Sequence, residues 1–393
     1  MPVAKKIEES IKRSSWIREM FEAGARLKAE IGPDKVFDFS LGNPDLEPPA
    51  RFNQVIKELV EDPTPGRHAY MSNSGWPEVR AAVAAYISGE YGVGFSADDI
   101  VMTTGAGGAL NVVLKTILDQ GDEVLVSRPY FVEYNFYVDN HGGVIKLVDS
   151  NPDFSLNLDN VAAGLTPRTR AVLINSPNNP TGAVYSEDQI RGLSELLARH
   201  SAQVGRPVIL VSDEPYRKIV YDGATVPSVF AHYANVIGLT SYSKDLSLPG
   251  ERIGFLAVHP DIPNKGNLVA GLILANRILG FVNAPSLMQR VVARLQGVTV
   301  DTGVYRRRRD LFVEILRAAG LDLTVPRGAF YLFPRTPIAD DVAFVRELQK
   351  ENILAVPGTG FGGPGHIRLT YCVSEKVIEG SREGFARAVS RVG

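Results

Sequence analysis

The chain has 393 residues, too long for one ordinary core and enough for roughly two to three packing units. Hydrophobic residues make up 45% and charged residues 22%, the balance of a folded globular protein and not of a disordered or collagen-like one. Lys and Arg total 42 against 44 Asp and Glu, a net charge of −2, so there is no cationic excess to grip a nucleic-acid backbone. The single cysteine, Cys372, cannot close an intramolecular disulfide or by itself hold a structural zinc, which points to a reducing compartment. The first twenty residues, MPVAKKIEESIKRSSWIREM, are charged throughout and lack a secretory signal's apolar centre. No apolar run is long enough to cross a bilayer, so a cytoplasmic protein with no membrane partner is expected.

Residues 1–40 read as helical and then extended. Short β-branched runs follow: 100–102, 124–126, 144–148, 171–174, 208–211, 236–239 and 253–258. Most are continuously apolar, as strands covered on both faces are, and helical segments separate several of them. The clearest is 187–200, where Ile190, Leu193, Leu196 and Leu197 share a face and Ser186 with Gln189 forms a capping box. Alternation of this kind predicts a mostly parallel, doubly wound α/β sheet. The last two runs are separated by only thirteen residues (240–252), short for a helical crossover, so one of the two strands is expected to lie antiparallel at an edge. Residues 304–319 predict an amphipathic helix and 320–335 a short-stranded segment. The organisation expected is a large α/β domain at 45–299 and a small α+β domain built from 1–44 and 300–393.

Ligands of doubly wound sheets bind beyond the carboxyl ends of the strands, so the residues there carry the functional signal. TGAGGAL (104–110) leads from a strand into a helix, a place where backbone N–H groups can hold a phosphate; alone it is as readily an ordinary glycine turn. PYFVEY (129–134) contains Phe131, SPNNPTG (176–182) contains Asn179, and SDEPY (212–216) contains Asp213 and Tyr216. SYSKDLSLPGER (241–252) contains Ser241, Ser243, Lys244 and Arg252. Each has a bland explanation by itself: a core aromatic, a turn asparagine, a solvated loop charge. Together they answer one ligand, with a phosphate (105–108, Ser241, Arg252), an aromatic ring (Phe131), a ring oxygen (Asn179, Tyr216), a ring nitrogen (Asp213) and a carbonyl that meets an amine (Lys244). Pyridoxal 5′-phosphate has these five features.

These motifs, with LGNPD (41–45), YMSNSGWPEVR (70–80), PRGAFYLF (326–333) and HIRLTY (366–371), resemble the fold-type I pyridoxal-phosphate enzymes, class I/II aminotransferases of the aspartate aminotransferase superfamily. The resemblance covers nearly the whole chain and implies a seven-stranded, mostly parallel sheet between helices. It implies that Lys244 bonds the cofactor and then shuttles a proton, and that Asp213 keeps the ring nitrogen protonated. Tyr216 and Asn179 would meet the phenolic oxygen and Phe131 would stack on the ring. Gly105, Ala106, Gly107, Ser241, Ser243 and Arg252 would cradle the phosphate, and Arg368 would pair with the substrate α-carboxylate beside Gly42. Tyr70 matches a tyrosine that reaches the neighbouring subunit's phosphate, so a homodimer with shared sites is implied.

The activity implied is transfer of an amino group from an L-amino acid to a 2-oxo acid by a ping-pong route through pyridoxamine phosphate. A carbon–sulfur lyase, decarboxylase or β-eliminating enzyme on the same fold is the alternative. A nicotinamide-dependent oxidoreductase is more distant, because the dinucleotide fingerprint is incomplete and Asp122 and Glu123 precede a strand where a ribose-binding acid should end one. A transcription regulator would need a DNA-binding domain that the residues ahead of LGNPD are too few to supply. No metal site is expected. For the substrate side chain, Ile17, Trp76 and Phe330 are candidate pocket residues. Gly107 stands where bacterial relatives carry a distal-carboxylate lysine, and Arg277 is only an offset substitute, so neutral or aromatic amino acids are expected. RRRRD (306–310) reads as a solvated or interface helix with an Arg306–Asp310 pair, and Cys372 as a buried structural thiol.

Overall fold

A computed structural model describes residues 3–13, 24 and 26–393. Seven strands form the main sheet: β2 (Ile100–Thr103), β3 (Glu123–Arg128), β4 (Val144–Asp149), β5 (Thr169–Asn175), β6 (Ile209–Asp213), β7 (Val236–Ser241) and β8 (Gly254–Val258). Their order is β2-β8-β7-β6-β5-β3-β4. Alternate residues enter opposite cores, which is why the runs read as unbroken apolar stretches: Val172 and Leu210 pack on one face, Leu173 and Val211 on the other. Helices Gly105–Ile117 and Lys265–Ile278 cover one face; Pro77–Tyr91, Glu187–Val204 and Ser286–Ala293 cover the other. The Glu187–Val204 helix starts at a reciprocal capping box, with Ser186 accepting from the Gln189 N–H and the Gln189 side chain accepting from the Ser186 N–H.

The thirteen-residue connection does turn the chain back, and β8 runs antiparallel to β7. It is not the edge strand, however. β2 pairs antiparallel with β8 on its far side, so the reversed strand lies one place in from the edge. The reversal matters for the site, because the N-terminal end of β8 then lies level with the carboxyl end of β7, in the register Ser241 to Gly254.

A third core joins Phe39 with Phe312, Phe330, Phe344, Ile353 and Phe385, and Tyr216 and Ile219 pack into it. Around it lie the pair β1 (Phe37–Asp38) and β10 (Ile353–Leu354), and a small sheet of β9 (Tyr331–Leu332), β11 (Val356–Pro357) and β12 (Ile367–Thr370). The helix Thr302–Ala318 lays Tyr305, Arg308, Arg309, Phe312 and Leu316 along one buried stripe. Two of the four arginines are therefore interior, not solvated. Arg308 is 7% exposed and pairs with Asp45 at 2.7 Å; Arg309 is 3% exposed, pairs with Asp222 at 2.7 Å and lies over the Tyr221 ring. Asp310 is taken by Arg309 at 2.6 Å, in place of the expected Arg306 pair. Charge-run patterning failed here because carboxylates outside the helix, Asp45 and Asp222, compensate the two buried guanidinium groups.

Gly254 lets the glycine turn after β2 approach the sheet: a Cβ there would stand 2.4 Å from the Thr240 carbonyl oxygen and 3.1 Å from the Gly105 Cα. Both contacts are backbone, so neither can swing away. Gly254→Ala is expected to cost about 1–3 kcal/mol in urea unfolding; an unchanged midpoint would show that the turn does not depend on this close approach.

Candidate active site

The loops after β2, β3, β5, β6 and β7, the last reaching Arg252 just before β8, line an open cleft of about 330 Å³. Twelve of the expected residues line it: Gly42, Ala106, Gly107, Phe131, Asn179, Asp213, Tyr216, Ser241, Ser243, Lys244, Arg252 and Arg368. Gly105 stands just behind, at φ +77°, and a Cβ there would be 3.1 Å from the Arg252 Nη2. Arg252 itself is left-handed at φ 50°, and its Nη1 donates to the Pro249 carbonyl at 2.8 Å.

Asp213 ends β6 and is buried. The Tyr134 hydroxyl donates to its Oδ2 at 2.6 Å, while Oδ1 has no hydrogen-bond partner. Burial pushes this carboxyl up to about 7, against the pull of the Tyr134 hydrogen bond. The Asn175 side chain donates to the Asp213 carbonyl at 2.8 Å and accepts from the Asn179 N–H at 2.7 Å, which fixes the two loops to each other. Below the cleft floor, Arg217 pairs with Glu214 at 3.0 Å and Lys218 with Asp245 at 3.2 Å, holding the chain next to Asp213 and next to Lys244.

Lys244 donates to the Gly42 carbonyl at 3.0 Å, and its Nζ lies 5.4 Å from the centre of the Phe330 ring. Burial lowers its ammonium to about 8, aided by the positive charges of Arg368 and Arg252. A neutral amine is thus accessible near neutral pH. Arg368 is buried between the rings of Tyr331 and Phe361, with its centre 4.8 and 4.6 Å from theirs. It donates to Asn179 Oδ1 at 3.2 Å and to the Ser40 carbonyl at 2.7 Å, and its Nε is left without a partner.

Two expectations for the periphery, Phe330 and Trp76, need correction. Phe330 is 0% exposed and forms the core under Tyr216; the next residue, Tyr331, lines the cleft and its hydroxyl meets that of Tyr216 at 2.9 Å. Trp76 is elsewhere, its indole N–H donating to Ser286 at 3.1 Å under the Arg290 guanidinium. Arg277 is exposed on the last turn of its helix, and Tyr70 is 89% exposed and outside the cleft of its own chain. Ile17 lies outside the described residues. Tyr134, Tyr137, Asn175 and Tyr331 were not anticipated, although Tyr134 sits in the PYFVEY motif itself. Cys372 is buried, its thiol pushed up to about 12 by burial. Asp122 and Glu123 are held by Arg206 at 2.6 Å and Arg168 at 2.7 Å, away from the glycine turn. Among the described residues no helix is long and apolar enough to cross a membrane, and no acidic, histidine or cysteine cluster could hold a metal.

The family described as "Aminotransferase class I and II" matches residues 34–383. The chain belongs to that family. An aspartate/prephenate aminotransferase of Thermus thermophilus is 33% identical over 89% of this chain and 90% of its own length. A probable aspartate aminotransferase of Methanocaldococcus jannaschii is 31% identical over 93% of this chain and 95% of its own. The crystal structure of an aminotransferase from Eubacterium rectale superposes with a TM-score of 0.96 at 40% identity, covering 100% of this chain and 99% of that one. Thermus thermophilus aspartate aminotransferase with maleate gives 0.88 at 28% identity, covering 99% and 100%. This protein is therefore an aminotransferase that uses pyridoxal phosphate, and neither the lyase nor the nicotinamide alternative is favoured by these relatives.

The cleft fits that cofactor. The orphan Oδ1 of Asp213 is a buried acceptor for a ring N–H, the helix opening at Gly105 offers backbone N–H groups to an anion beside Arg252, and Lys244 supplies the amine. The titration of Asp213 gives a direct check on cofactor-free protein. Its folded value, about 7, exceeds the ordinary 3.8, so the folded state holds an extra proton between these limits. Stability from this group is thus full below the lower value and lost as pH rises through the upper one. Asp213→Asn should flatten that fall in urea midpoint; an identical pH profile in both proteins would contradict it.

Proposed function

We propose that this aminotransferase passes the amino group of an L-amino acid to a 2-oxo acid in two half-reactions on one cleft, with Lys244 as the proton carrier. The observation that carries the reading is the convergence of Lys244, the unpartnered oxygen of Asp213, Arg252 and Arg368 on a single cavity. When bound, pyridoxal phosphate supplies a carbonyl carbon that takes up the amino group and a protonated ring that draws electrons from the substrate's α-carbon. Asp213 would hold the ring nitrogen through Oδ1, while Tyr134 keeps that carboxylate in place from its other oxygen. Ala106, Gly107, Ser241, Ser243 and Arg252 would hold the phosphate, Phe131 would cover the ring, and Asn179 with Tyr216 would take the ring oxygen.

Arg368 binds the α-carboxylate. Ser40 and Asn179 hold its guanidinium, and the rings of Tyr331 and Phe361 pack close to it and help exclude water. Lys244, whose ammonium burial disfavours, would take the α-proton at its Nζ and deliver it to the carbonyl carbon of the cofactor. Tyr70 completes the phosphate site of a second copy of the chain; its exposure, with that of Leu274 and Ile278, supports a homodimer whose contact covers these side chains.

Two measurements check the reading. Enzyme mixed with alanine and no 2-oxo acid should form one pyruvate per site and stop, and 2-oxoglutarate should restore turnover; continuous release of ammonia would overturn it. Arg368→Lys keeps the charge and loses the planar fork, so kcat/KM should fall about 10- to 100-fold for every amino donor, the equivalent of about 1.5–3 kcal/mol of charged hydrogen bonding. A fall confined to one donor would place the α-carboxylate elsewhere.

A further inference from the structure

The cleft lining contains three cations, Lys244, Arg252 and Arg368, and two anions, Asp213 and Glu133. All but Glu133 have a place in the proposed reaction. Glu133 directly precedes the helix Tyr134–Asp139, and its side chain makes no capping hydrogen bond. Among the described residues no arginine, lysine or histidine pairs with it, and burial alone pushes its carboxyl above the ordinary value. One helical turn on, Tyr137 lies on the same face, and its hydroxyl is 3.1 Å from where a Cβ on Gly107 would stand. Glu133 and Tyr137 thus overhang the part of the cleft beside the phosphate turn, where Gly107 contributes no side chain. An unpaired carboxylate in a half-desolvated cleft repels a second carboxylate on the substrate and is relieved by a cation.

We propose that Glu133 sets the side-chain selectivity of this aminotransferase, disfavouring dicarboxylic amino acids and drawing in a donor whose side chain ends in a cation, such as a guanidinium. The inference rests on reading the cleft as the amino-acid site. The side chain of an arginine-like donor would meet Glu133 while its α-carboxylate meets Arg368, so one substrate spans two opposite charges.

The test compares wild type, Glu133→Gln and Glu133→Lys, loaded with cofactor, in kcat/KM for arginine and for aspartate, each divided by that for alanine. Maleate binding, followed through the cofactor's absorbance, serves as a readout free of turnover. Glu133→Gln is expected to raise the aspartate ratio and lower the arginine ratio by roughly tenfold each, and to tighten maleate by a similar factor. Glu133→Lys should carry the same changes further. Ratios and maleate affinity that stay within twofold across all three proteins would overturn the proposal, as would a wild type that prefers aspartate to arginine. If one variant misfolds, the other still reads the sign of the charge effect. If wild type fails the alanine half-reaction, the catalytic reading falls, while maleate affinity continues to decide what Glu133 does.

Discussion

A carboxylate buried in an apolar cleft must find partners or keep a proton, and Asp213 is satisfied on one oxygen only. Tyr134 holds Oδ2 from the first turn of the helix after β3, Asn175 holds the backbone from the end of β5, and the Arg217–Glu214 pair braces the chain just beyond. None of these reaches Oδ1. The group that completes the site must therefore bring a proton donor to that oxygen and be flat enough to lie under the PYFVEY loop. The ring nitrogen of pyridoxal phosphate meets both conditions, and binding it relieves the cost that pushes the free carboxyl towards neutral pH.

The sheet supplies this geometry through one irregularity. Were β8 parallel, Arg252 would lie at the opposite edge, far from the glycine turn. Because it runs back against β7, its first residues reach the carboxyl edge, and Gly254 admits the turn against the strand. The third core does the complementary task, presenting Arg368 from β12 between Tyr331 and Phe361. A chain with a net charge of −2 thus gathers three cations and two acids, one of them buried, along a single cleft.

Much of this was legible in the sequence, since strands buried on both faces read as continuous apolar runs and the residues following them are the ones that converge. The losses have physical causes. Phe330 directly precedes β9 and Tyr331 begins it, and neighbouring side chains in extended chain face opposite ways, so assigning the cleft to Phe330 instead of Tyr331 exchanged core and cavity. Arg308 and Arg309 looked solvated because their partners, Asp45 and Asp222, are remote in sequence. Tyr134 and Glu133 share a motif with Phe131, but nothing in spacing distinguishes a hydroxyl that holds Asp213 from a carboxylate left unpaired.

The most direct measurement is the electron density of crystals grown with pyridoxal phosphate. Continuous density from Lys244 Nζ to the cofactor, with the ring nitrogen about 3 Å from Asp213 Oδ1 and the phosphate against Ala106, Gly107 and Arg252, is the expected result. A ring whose nitrogen faces away from Asp213, or a cofactor joined to another lysine, would contradict it.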